Sequence, residues 1–286
     1  MVRIWFKMML VLLISSSVLA FEYNYNFDSL STGSLAGQDG WTITAGMTAT
    51  VYDVGGGNLA VNLINGTNYV LRAGSFVLTE KLSSYQADFL YFGGALNQTE
   101  RFYLAGSGTT SPWLGINGGQ IETRGMTGKN AYSPAVRANA PTTFNIGDWI
   151  TLRMTFNADN TATVAYKNLT DGETGFTNVA DFTNYDIGLG SVGDIDTYLK
   201  SFTDLRMRSD GSTPSGQTRA VDNLNVTEYF ADCETVLYFD VTGPQGQSDC
   251  IVDIYDLAEF AGEWLVSTRP SDSCVIEVDD GTLWDR

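Results

Sequence analysis

Residues 148–167 decide the fold, and they read Asp-Trp-Ile-Thr-Leu-Arg-Met-Thr-Phe-Asn-Ala-Asp-Asn-Thr-Ala-Thr-Val-Ala-Tyr-Lys. From Ile150 to Phe156 every second residue is apolar, which is the period of a strand with one buried face. Residues 157–160 are typical of a turn, and Thr161 to Tyr166 then returns as the partner strand. This stretch therefore predicts an antiparallel β-hairpin with one wet face.

The same pattern continues over residues 21–230, where Gly, Asn or Asp interrupts short alternating runs. Further strands are predicted at Ala49–Asp53, Leu59–Leu63, Tyr69–Arg72, Gln86–Phe92, Phe102–Gly106, Trp113–Ile116, Lys200–Met207 and Ala220–Thr227. No stretch before residue 230 carries a helical apolar period over three turns, which disfavours α/β folds and their cofactor sites. The expected fold class is mainly β, an antiparallel β-sandwich.

Four segments of this region resemble a known family. They are Asn26-Phe27-Asp28, Leu35-Ala36-Gly37-Gln38-Asp39-Gly40-Trp41, Ile146-Gly147-Asp148-Trp149 and Ala220-Val221-Asp222-Asn223-Leu224-Asn225-Val226. Together they look like a concanavalin A-like, laminin-G-type jelly roll. That resemblance implies one domain over residues 21–230, in which the first and last strands lie side by side.

Charge and composition exclude several mechanisms. The 286 residues include 16 Lys+Arg, 33 Asp+Glu and no histidine, which gives a net charge of −17. Without imidazole there is no Ser/His/Asp triad, no Cys/His dyad and no HExxH zinc site. The acid excess also argues against nucleic acid and anionic membranes as partners. A general acid or base in this chain would have to be Asp, Glu, Lys or Tyr.

Residues 1–20 are predicted to be a signal peptide. Arg3 and Lys7 form a basic start, Met8 to Ile14 a short apolar core, and Val18-Leu19-Ala20 a small-residue cleavage site. A retained anchor would need roughly 18 apolar residues in a row, whereas three serines interrupt this run. We expect a secreted or cell-surface protein without membrane contact after the signal is removed.

Residues 231–286 are predicted to form a separate acidic module. They hold 13 acidic and two basic residues. An apolar stripe predicts a helix over residues 254–266, with Asp253 as its N-cap and Pro270 just beyond its end. The expected module is a small helix-loop-helix.

A calcium site is predicted just before that helix. A calcium loop of this kind places oxygen ligands at positions 1, 3, 5, 7, 9 and 12. Asp249, the Ile251 carbonyl, Asp253 and Asp256 fit positions 5, 7, 9 and 12. The first half of the loop has two alternatives: Gln245 and Gln247 at positions 1 and 3, or Asp240 as the first ligand ahead of a five-residue insertion. The competing interpretation is that these acids only cap the helix and carry surface charge.

The segment Asp249–Ala258, followed by Phe260 and Trp264-Leu265, resembles one repeat of a bacterial dockerin. This resemblance implies that Ile254 and Tyr255 contact a partner, a cohesin-like or cell-surface protein. A full dockerin carries two such repeats, and this chain shows one.

The three cysteines, Cys233, Cys250 and Cys274, all lie in this module. In an exported chain they predict one disulfide and one remaining thiol. Which two of them pair stays open.

Catalytic motifs are weak. Residues 188–193 match GxGxxG literally, but acidic residues follow where a helix should begin, so a glycine turn is expected. Glycoside hydrolases of the jelly-roll type carry Glu-x-Asp-x-x-Glu on one strand. The nearest approach here is Asp194-Ile195-Asp196-Thr197-Tyr198-Leu199, which lacks both glutamates.

Binding is the remaining function, and aromatic residues are the candidates for it. Sugar rings stack on aromatic planes while nearby Asn and Asp satisfy their hydroxyls. Trp149 and Trp41 are expected in the core, whereas Trp113 is expected to be the least buried, with Tyr103 and Tyr132 beside it as ligand contacts. We expect an exported non-catalytic protein with a glycan-binding jelly roll and a calcium-binding attachment module. Two alternatives stay open: a carbohydrate-active enzyme, either a glycoside hydrolase or a polysaccharide lyase, with unrecognised catalytic carboxylates, and a purely structural surface protein.

Overall fold

The predicted hairpin forms in the computed structural model, with strands Trp149–Phe156 and Ala162–Asn168. Its register pairs Leu152 with Tyr166 and Met154 with Val164. The structure describes residues 22–64, 68–93, 99–106, 109–126, 132–157, 159–186, 194–210 and 218–228, all within the compact unit Ala20–Tyr229.

The described residues form two antiparallel sheets, called sheet I and sheet II. Sheet I has the spatial order β15 (Thr177–Asn178), β14 (Ala162–Asn168), β13 (Trp149–Phe156), β7 (Leu82–Leu90), β17 (Ala220–Glu228), β5 (Asn58–Ile64), β4 (Thr48–Gly55) and β2 (Gly33–Ser34), with β1 (Glu22–Tyr25) also paired to β17. Sheet II has the order β12 (Tyr132–Asn139), β11 (Gln120–Met126), β10 (Leu114–Asn117), β8 (Thr99–Gly106), β16 (Phe202–Asp210), β6 (Tyr69–Arg72) and β3 (Trp41–Ile43), with β9 (Thr109–Thr110) paired to β8.

The connections between the strands are those of a jelly roll. The chain crosses from one sheet to the other at β2–β3, β3–β4, β5–β6, β6–β7, β7–β8, β12–β13, β15–β16 and β16–β17. The first and last strands are neighbours, with Glu22 opposite Thr227 and Tyr25 opposite Leu224. The expected antiparallel jelly-roll β-sandwich is thereby confirmed, and so is the predicted neighbourhood of its terminal strands.

The hydrophobic core lies between the sheets. Ile150, Phe89 and Val221 stand in one row across β13, β7 and β17, and none of them is exposed to solvent. The Tyr85 ring meets the Phe102 ring of sheet II edge-on, with centroids 5.7 Å apart. Burying each such aromatic side chain contributes roughly 1.5–3 kcal/mol.

Trp41 is part of this core, as predicted. It is fully buried, and its Nε1 donates a hydrogen bond to the Tyr25 hydroxyl at 3.0 Å. The partner satisfies the one polar atom that the indole would otherwise leave unpaired inside the protein.

Strand bounds differ from prediction where polar residues are buried. Tyr69–Arg72 is reproduced, but β8 begins at Thr99 rather than Phe102. Glu100 and Arg101 lie in this earlier part and are buried nonetheless. Charged residues seldom lie in buried strands, so alternation alone places the strand start too late.

The segment Asp194–Leu199 is not a strand. Residues Ile195–Lys200 form the short helix α1, and Asp194 caps it by accepting a hydrogen bond from the Thr197 backbone at 3.2 Å. Acidic residues on a helix do not alternate along a sheet face, so this segment lacks the geometry of the glycosidase motif.

Several predictions lie outside the described residues. They are the signal peptide over residues 1–20, the module over residues 231–286 with its helix at 254–266, the calcium ligands, the three cysteines, the contacts Ile254 and Tyr255, and the glycine turn at 188–193. Within the described part of the chain, no helix is long and apolar enough to cross a bilayer.

Candidate functional site

A row of polar residues crosses the outer face of sheet I. Thr151, Asp88 and Asp222 are direct neighbours on β13, β7 and β17. The residues beside them in each strand point into the core, so these three point the other way. They are nevertheless only 2%, 6% and 1% exposed. Buried polar groups on an outer face show that loops cover this part of the sheet.

A β-bulge shapes the site at β17. The register shifts between Asp222 and Asn225, and Asn223 has a φ of 47°, in the left-handed region that Asn tolerates better than most residues. Its backbone N–H donates to Oδ1 of Asp222 at 2.7 Å, and its Nδ2 donates to Oδ2 of Asp88 at 2.8 Å. The bulge thus places the backbone N–H of Asn223 against Asp222 and its side-chain amide against Asp88.

Asp88 is held on both of its oxygens. Thr151 donates to Oδ1 at 2.6 Å, opposite the bond from Asn223 to Oδ2. Burial raises the pKa of Asp88 above its ordinary value, whereas these two hydrogen bonds and the charge of Lys167 oppose that rise. The carboxyl is therefore fixed in orientation.

Asp222 is the more perturbed carboxyl. Burial raises its pKa to about 7. The Asn223 backbone N–H and the Asn58 side chain oppose the rise, whereas the negative charges of Asp88 and Asp28 add to it. Near neutral pH, Asp222 is present in both its protonated and ionised forms, so it can donate or accept a hydrogen bond.

Trp149 stands beside these carboxyls, so the expectation that it lies in the core is wrong. The ring is half-buried. The backbone of Trp149 donates to Oγ1 of Thr170 and accepts from the Leu169 N–H, both at 2.9 Å. Nδ2 of Asn168 donates to carboxylates of Asp148 at 3.0 Å and Asp171 at 2.8 Å, which fixes the adjoining turn.

These groups enclose a cleft of about 270 Å³. Its lining residues are Asn58, Asp88, Trp149, Leu169, Thr170, Asp222 and Asn223. The Leu59 N–H donates to Oδ1 of Asp28 at 2.8 Å, which anchors the chain next to Asn58. The lining thus combines two large apolar residues with residues that carry carboxyl, amide and hydroxyl groups. Such a combination suits a small polar ligand that has an apolar face.

The predicted ligand contacts lie elsewhere, on sheet II. The structure brings Trp113 and Tyr103 together, with ring centroids 6.4 Å apart. They are only 7% and 6% exposed, so the expectation that Trp113 is the least buried tryptophan is wrong. Tyr132 begins β12, where its backbone pairs with Met126. Ligand contact at these residues stays a prediction that burial does not favour.

Arginines explain the burial of Trp113. The guanidinium of Arg101 lies 4.1 Å from the centre of its ring and that of Arg124 lies 4.8 Å away. Arg101 also bonds Glu122 at 2.7 Å, and Arg137 bonds the other oxygen of Glu122 at 2.7 Å. Burial alone would raise the pKa of Glu122. The charge of Arg101 and the hydrogen bonds that Glu122 accepts outweigh this effect, so its pKa is lowered overall. Both oxygens of Glu122 thus pair with an arginine, one from β8 and one from β12.

The part of the chain that the structure describes contains no candidate metal site. There, no three His, Cys, Asp or Glu side chains are grouped so that they could hold a metal ion. The predicted calcium loop belongs to residues 240–256, outside that part.

The sequence did not predict the cleft residues as a site, although Asp222 and Asn223 belong to a segment that indicated the fold. Asp222 and Asn223 are two consecutive polar residues directly after the apolar pair Ala220-Val221, and this break in the alternation was the available signal. Asp88 lies 134 residues away from Asp222, and only the pairing of β7 with β17 brings the two together.

No protein-family model matches the chain. The curated proteins offer no match to it either. Among solved structures, the chain is similar to a Bacteroides ovatus mixed-linkage glucan GH16 protein in complex with its G4G4G3G product, with a TM-score of 0.46, 11% identity, and coverage of 71% of this chain and 99% of that one.

It is also similar to the receptor-binding domain of botulinum neurotoxin type G, with a TM-score of 0.40, 11% identity, and coverage of 81% of this chain and 51% of that one. The apo Crh5 transglycosylase has a TM-score of 0.40 and 15% identity, with coverage of 73% and 85%. The chain thus spans about half the length of the neurotoxin domain. At these identities and TM-scores, none of the similarities bears on the ligand or the reaction of this chain.

Proposed function

We propose that the cleft on sheet I binds a carbohydrate unit and that the protein is a non-catalytic carbohydrate-binding protein. One observation carries this proposal: the half-buried Trp149 lines the same cleft as Asp88 and Asp222. A pyranose ring has apolar C–H faces and a rim of hydroxyls, and it needs both kinds of wall.

The site is organised before a ligand arrives. Hydrogen bonds from Thr151 and Asn223 orient Asp88, and two backbone bonds to the 169–170 turn hold Trp149. A preorganised site loses little conformational entropy on binding, which favours affinity for a small ligand. With a pKa of about 7, Asp222 suits hydroxyl groups, which both donate and accept.

A glycan array with the full chain tests this proposal, followed by calorimetry on the best ligand. Trp149→Ala should weaken binding at least about tenfold, because it removes the stacking wall. Val77→Ala, which shortens an exposed apolar side chain outside the cleft, should leave binding unchanged. Equal binding by Trp149→Ala and the natural sequence would refute the assignment of the cleft.

A second candidate function is glycoside hydrolysis, which the facing of Asp88 and Asp222 favours. Directly opposed residues of antiparallel strands have Cβ atoms about 4.5–5.5 Å apart, and retaining glycosidases separate their carboxyl groups by about 5–5.5 Å. Asp222, with its raised pKa, would protonate the leaving oxygen, and Asp88 would attack the anomeric carbon. Release of reducing ends that Asp222→Asn abolishes would establish this reaction. Binding is preferred because both oxygens of Asp88 already accept hydrogen bonds.

Export and attachment are the remaining parts of the proposal. The sequence of residues 1–20 supports secretion, and the loop ligands Asp249, the Ile251 carbonyl, Asp253 and Asp256, with Asp240 or two glutamines, support one calcium ion. Ile254 and Tyr255 would then face a cohesin-like or cell-surface partner. Calorimetry of the full chain with CaCl₂ tests the ion. Asp256→Ala should abolish binding and Asp272→Ala, outside the loop, should not, whereas no binding at millimolar calcium would exclude the site.

A further inference from the structure

Two cations lie on the outer face of sheet I, next to the cleft. Arg153 and Lys167 occupy the adjacent strands β13 and β14, and Arg153 is opposite Ala165 while Lys167 is opposite Thr151. Both side chains face outward, so Arg153 and Lys167 are diagonal neighbours on adjacent strands. Both side chains are half-buried. They lie on the same face as Trp149 and Thr151, and thus on the face that carries the cleft.

The two cations share one aromatic ring. The guanidinium carbon of Arg153 lies 3.8 Å from the centre of the Phe176 ring, and Nζ of Lys167 lies 5.0 Å from it. One cation on a ring is favourable by about 0.5–1 kcal/mol at an exposed site. A second cation on the same ring repels the first, so stacking alone does not account for the pair.

Most cations in the described ranges have an acidic partner within 4 Å. These are Arg72, Lys81, Arg101, Arg137, Lys200 and Arg208. Arg153 and Lys167 have no such partner there, and Nε of Arg153 is buried without a hydrogen-bond partner among the described residues. In a chain with a net charge of −17, carboxylates are abundant, yet among the described residues none lies within 4 Å of these two neighbouring cations.

The geometry of the guanidinium favours a carboxylate as the missing partner. A guanidinium stacked on a ring keeps its N–H donors in its own plane, where they match the two oxygens of a carboxylate. Lys167 supplies a second positive charge beside them. The row Lys167, Thr151, Asp88 sets the distance to the cleft: two strand spacings, or about 10 Å. A ligand that reaches both places must be longer than a single sugar unit.

We propose that Arg153, Lys167 and Phe176 form a subsite for the carboxylate of a uronic acid unit, in a polysaccharide whose neighbouring unit occupies the cleft. This inference rests on the proposed carbohydrate-binding function and names its ligand class as acidic polysaccharides. Only the subsite is positively charged. Asp88 and Asp222 make the cleft acidic, so the cleft itself is unsuited to a uronate carboxylate.

Paired probes test the proposal. The full chain is titrated with polygalacturonate, alginate and hyaluronan, and with the carboxyl-reduced neutral form of each. At least one uronate polymer should bind about tenfold more tightly than its reduced form, and added salt should remove the difference. Arg153→Met and Lys167→Gln should each abolish the preference while the reduced form binds as before. Both substitutions remove the positive charge and keep most of the unbranched part of the side chain, and a melting curve shows whether the variant is folded.

Arg206→Met is the matched control. Arg206 also lies over an aromatic ring, that of Tyr69 at 4.2 Å, and its Nε is likewise buried without a partner in the described part, but it belongs to sheet II. This variant should keep the preference.

The outcomes separate the two proposals. Equal binding of charged and reduced polymers would overturn the uronate subsite and leave carbohydrate binding standing. A preference that survives in the Arg153→Met, Lys167→Gln double variant would overturn it as well. Dextran sulfate, tested against dextran, distinguishes a sulfate site: a preference for it alone contradicts the carboxylate. No binding of any polymer, charged or neutral, would refute the proposed function itself.

Discussion

Asn223 donates a hydrogen bond from Nδ2 to Oδ2 of Asp88, across the boundary between β17 and β7, from a backbone with a φ of 47°. Asn223 thus has two roles: it adopts the left-handed backbone of the bulge, and its side chain orients Asp88. Asn is among the few residues with a side chain that adopts the left-handed region at modest cost, and its amide reaches the neighbouring strand.

The first prediction separates these two roles of Asn223. Asn223→Gly keeps the backbone relaxed but removes the amide, so the free energy of unfolding should fall by about 1 kcal/mol. Asn223→Ala should cost about 1 kcal/mol more, because it also strains the backbone. Urea denaturation of the two variants measures both terms. Equal stability of the Gly and Ala variants would show that a Cβ atom causes no backbone strain at this left-handed position.

The second prediction concerns Glu100, which is fully buried and has no hydrogen-bond partner for either oxygen among the described residues. Burial raises its pKa to about 8, although the charge of Arg219 opposes the rise. The unfolded chain releases this proton at lower pH than the folded chain, so the contribution of Glu100 to the free energy of unfolding is largest in acid and falls as the pH rises towards 8. Over that range the loss is at most about 5 kcal/mol.

Glu100→Gln should remove most of this pH dependence. The free energy of unfolding, measured in urea at pH 5 and pH 8, should differ less in the variant than in the natural sequence. Asp181→Asn, which removes an exposed carboxyl, serves as the control for charge. A variant that keeps the full loss of stability between the two pH values would contradict the assignment to Glu100.

The third prediction sets stability against binding at Asp222. Because its folded pKa is raised to about 7, the ionised form destabilises the protein increasingly from about pH 4 to pH 7. Asp222→Asn should therefore raise the melting temperature at pH 8 and leave it almost unchanged at pH 4. The same variant should bind sugar more weakly, because an amide cannot replace the ionised carboxylate as an acceptor of two hydroxyls. A lower melting temperature at pH 8 would argue against this account.

The fourth prediction concerns the buried cluster around Glu122. This carboxylate accepts from Nη2 of Arg101, Nε of Arg137 and Nδ2 of Asn117, at 2.6–2.7 Å. Glu122→Gln removes the acidic partner of Arg137 and one of the two acidic partners of Arg101, which keeps Asp210. Breaking this buried cluster should cost about 3–5 kcal/mol in the free energy of unfolding. Asp181→Asn, at an exposed carboxyl, should cost almost nothing. Near-equal stability of the two variants would mean that the arginines find other partners.

Alternation in the sequence predicted the sandwich well because it reports directly on which side of a strand is buried. The hairpin of residues 148–167 shows this, and it also held the information that was overlooked. Trp149 has the same parity as Thr151 and Arg153, the polar face, so its half-exposed position follows from the pattern that identified the strand. Its large apolar ring was given more weight than its parity.

The site itself depends on contacts that a single sequence does not contain. Asp88 and Asp222 become neighbours only through the order of strands in sheet I. Trp113 is buried because Arg101 and Arg124 cover its ring, and flanking residues at positions 111–115 carry no trace of these partners. The local pattern thus predicted the strands and their buried faces. The composition of the cleft depends on the pairing of strands that are distant in the sequence.

The central place of β17 in sheet I sets the order in which the domain can be completed. This strand lies between β7 and β5 and beside β1, yet it is the last strand of the domain to be synthesised. Until residues 220–228 emerge, β7 and β5 both present open edges, and the cleft lacks Asp222 and Asn223. The nascent chain cannot close its core early, and a chain that stops before residue 220 loses the middle of the sheet rather than its margin.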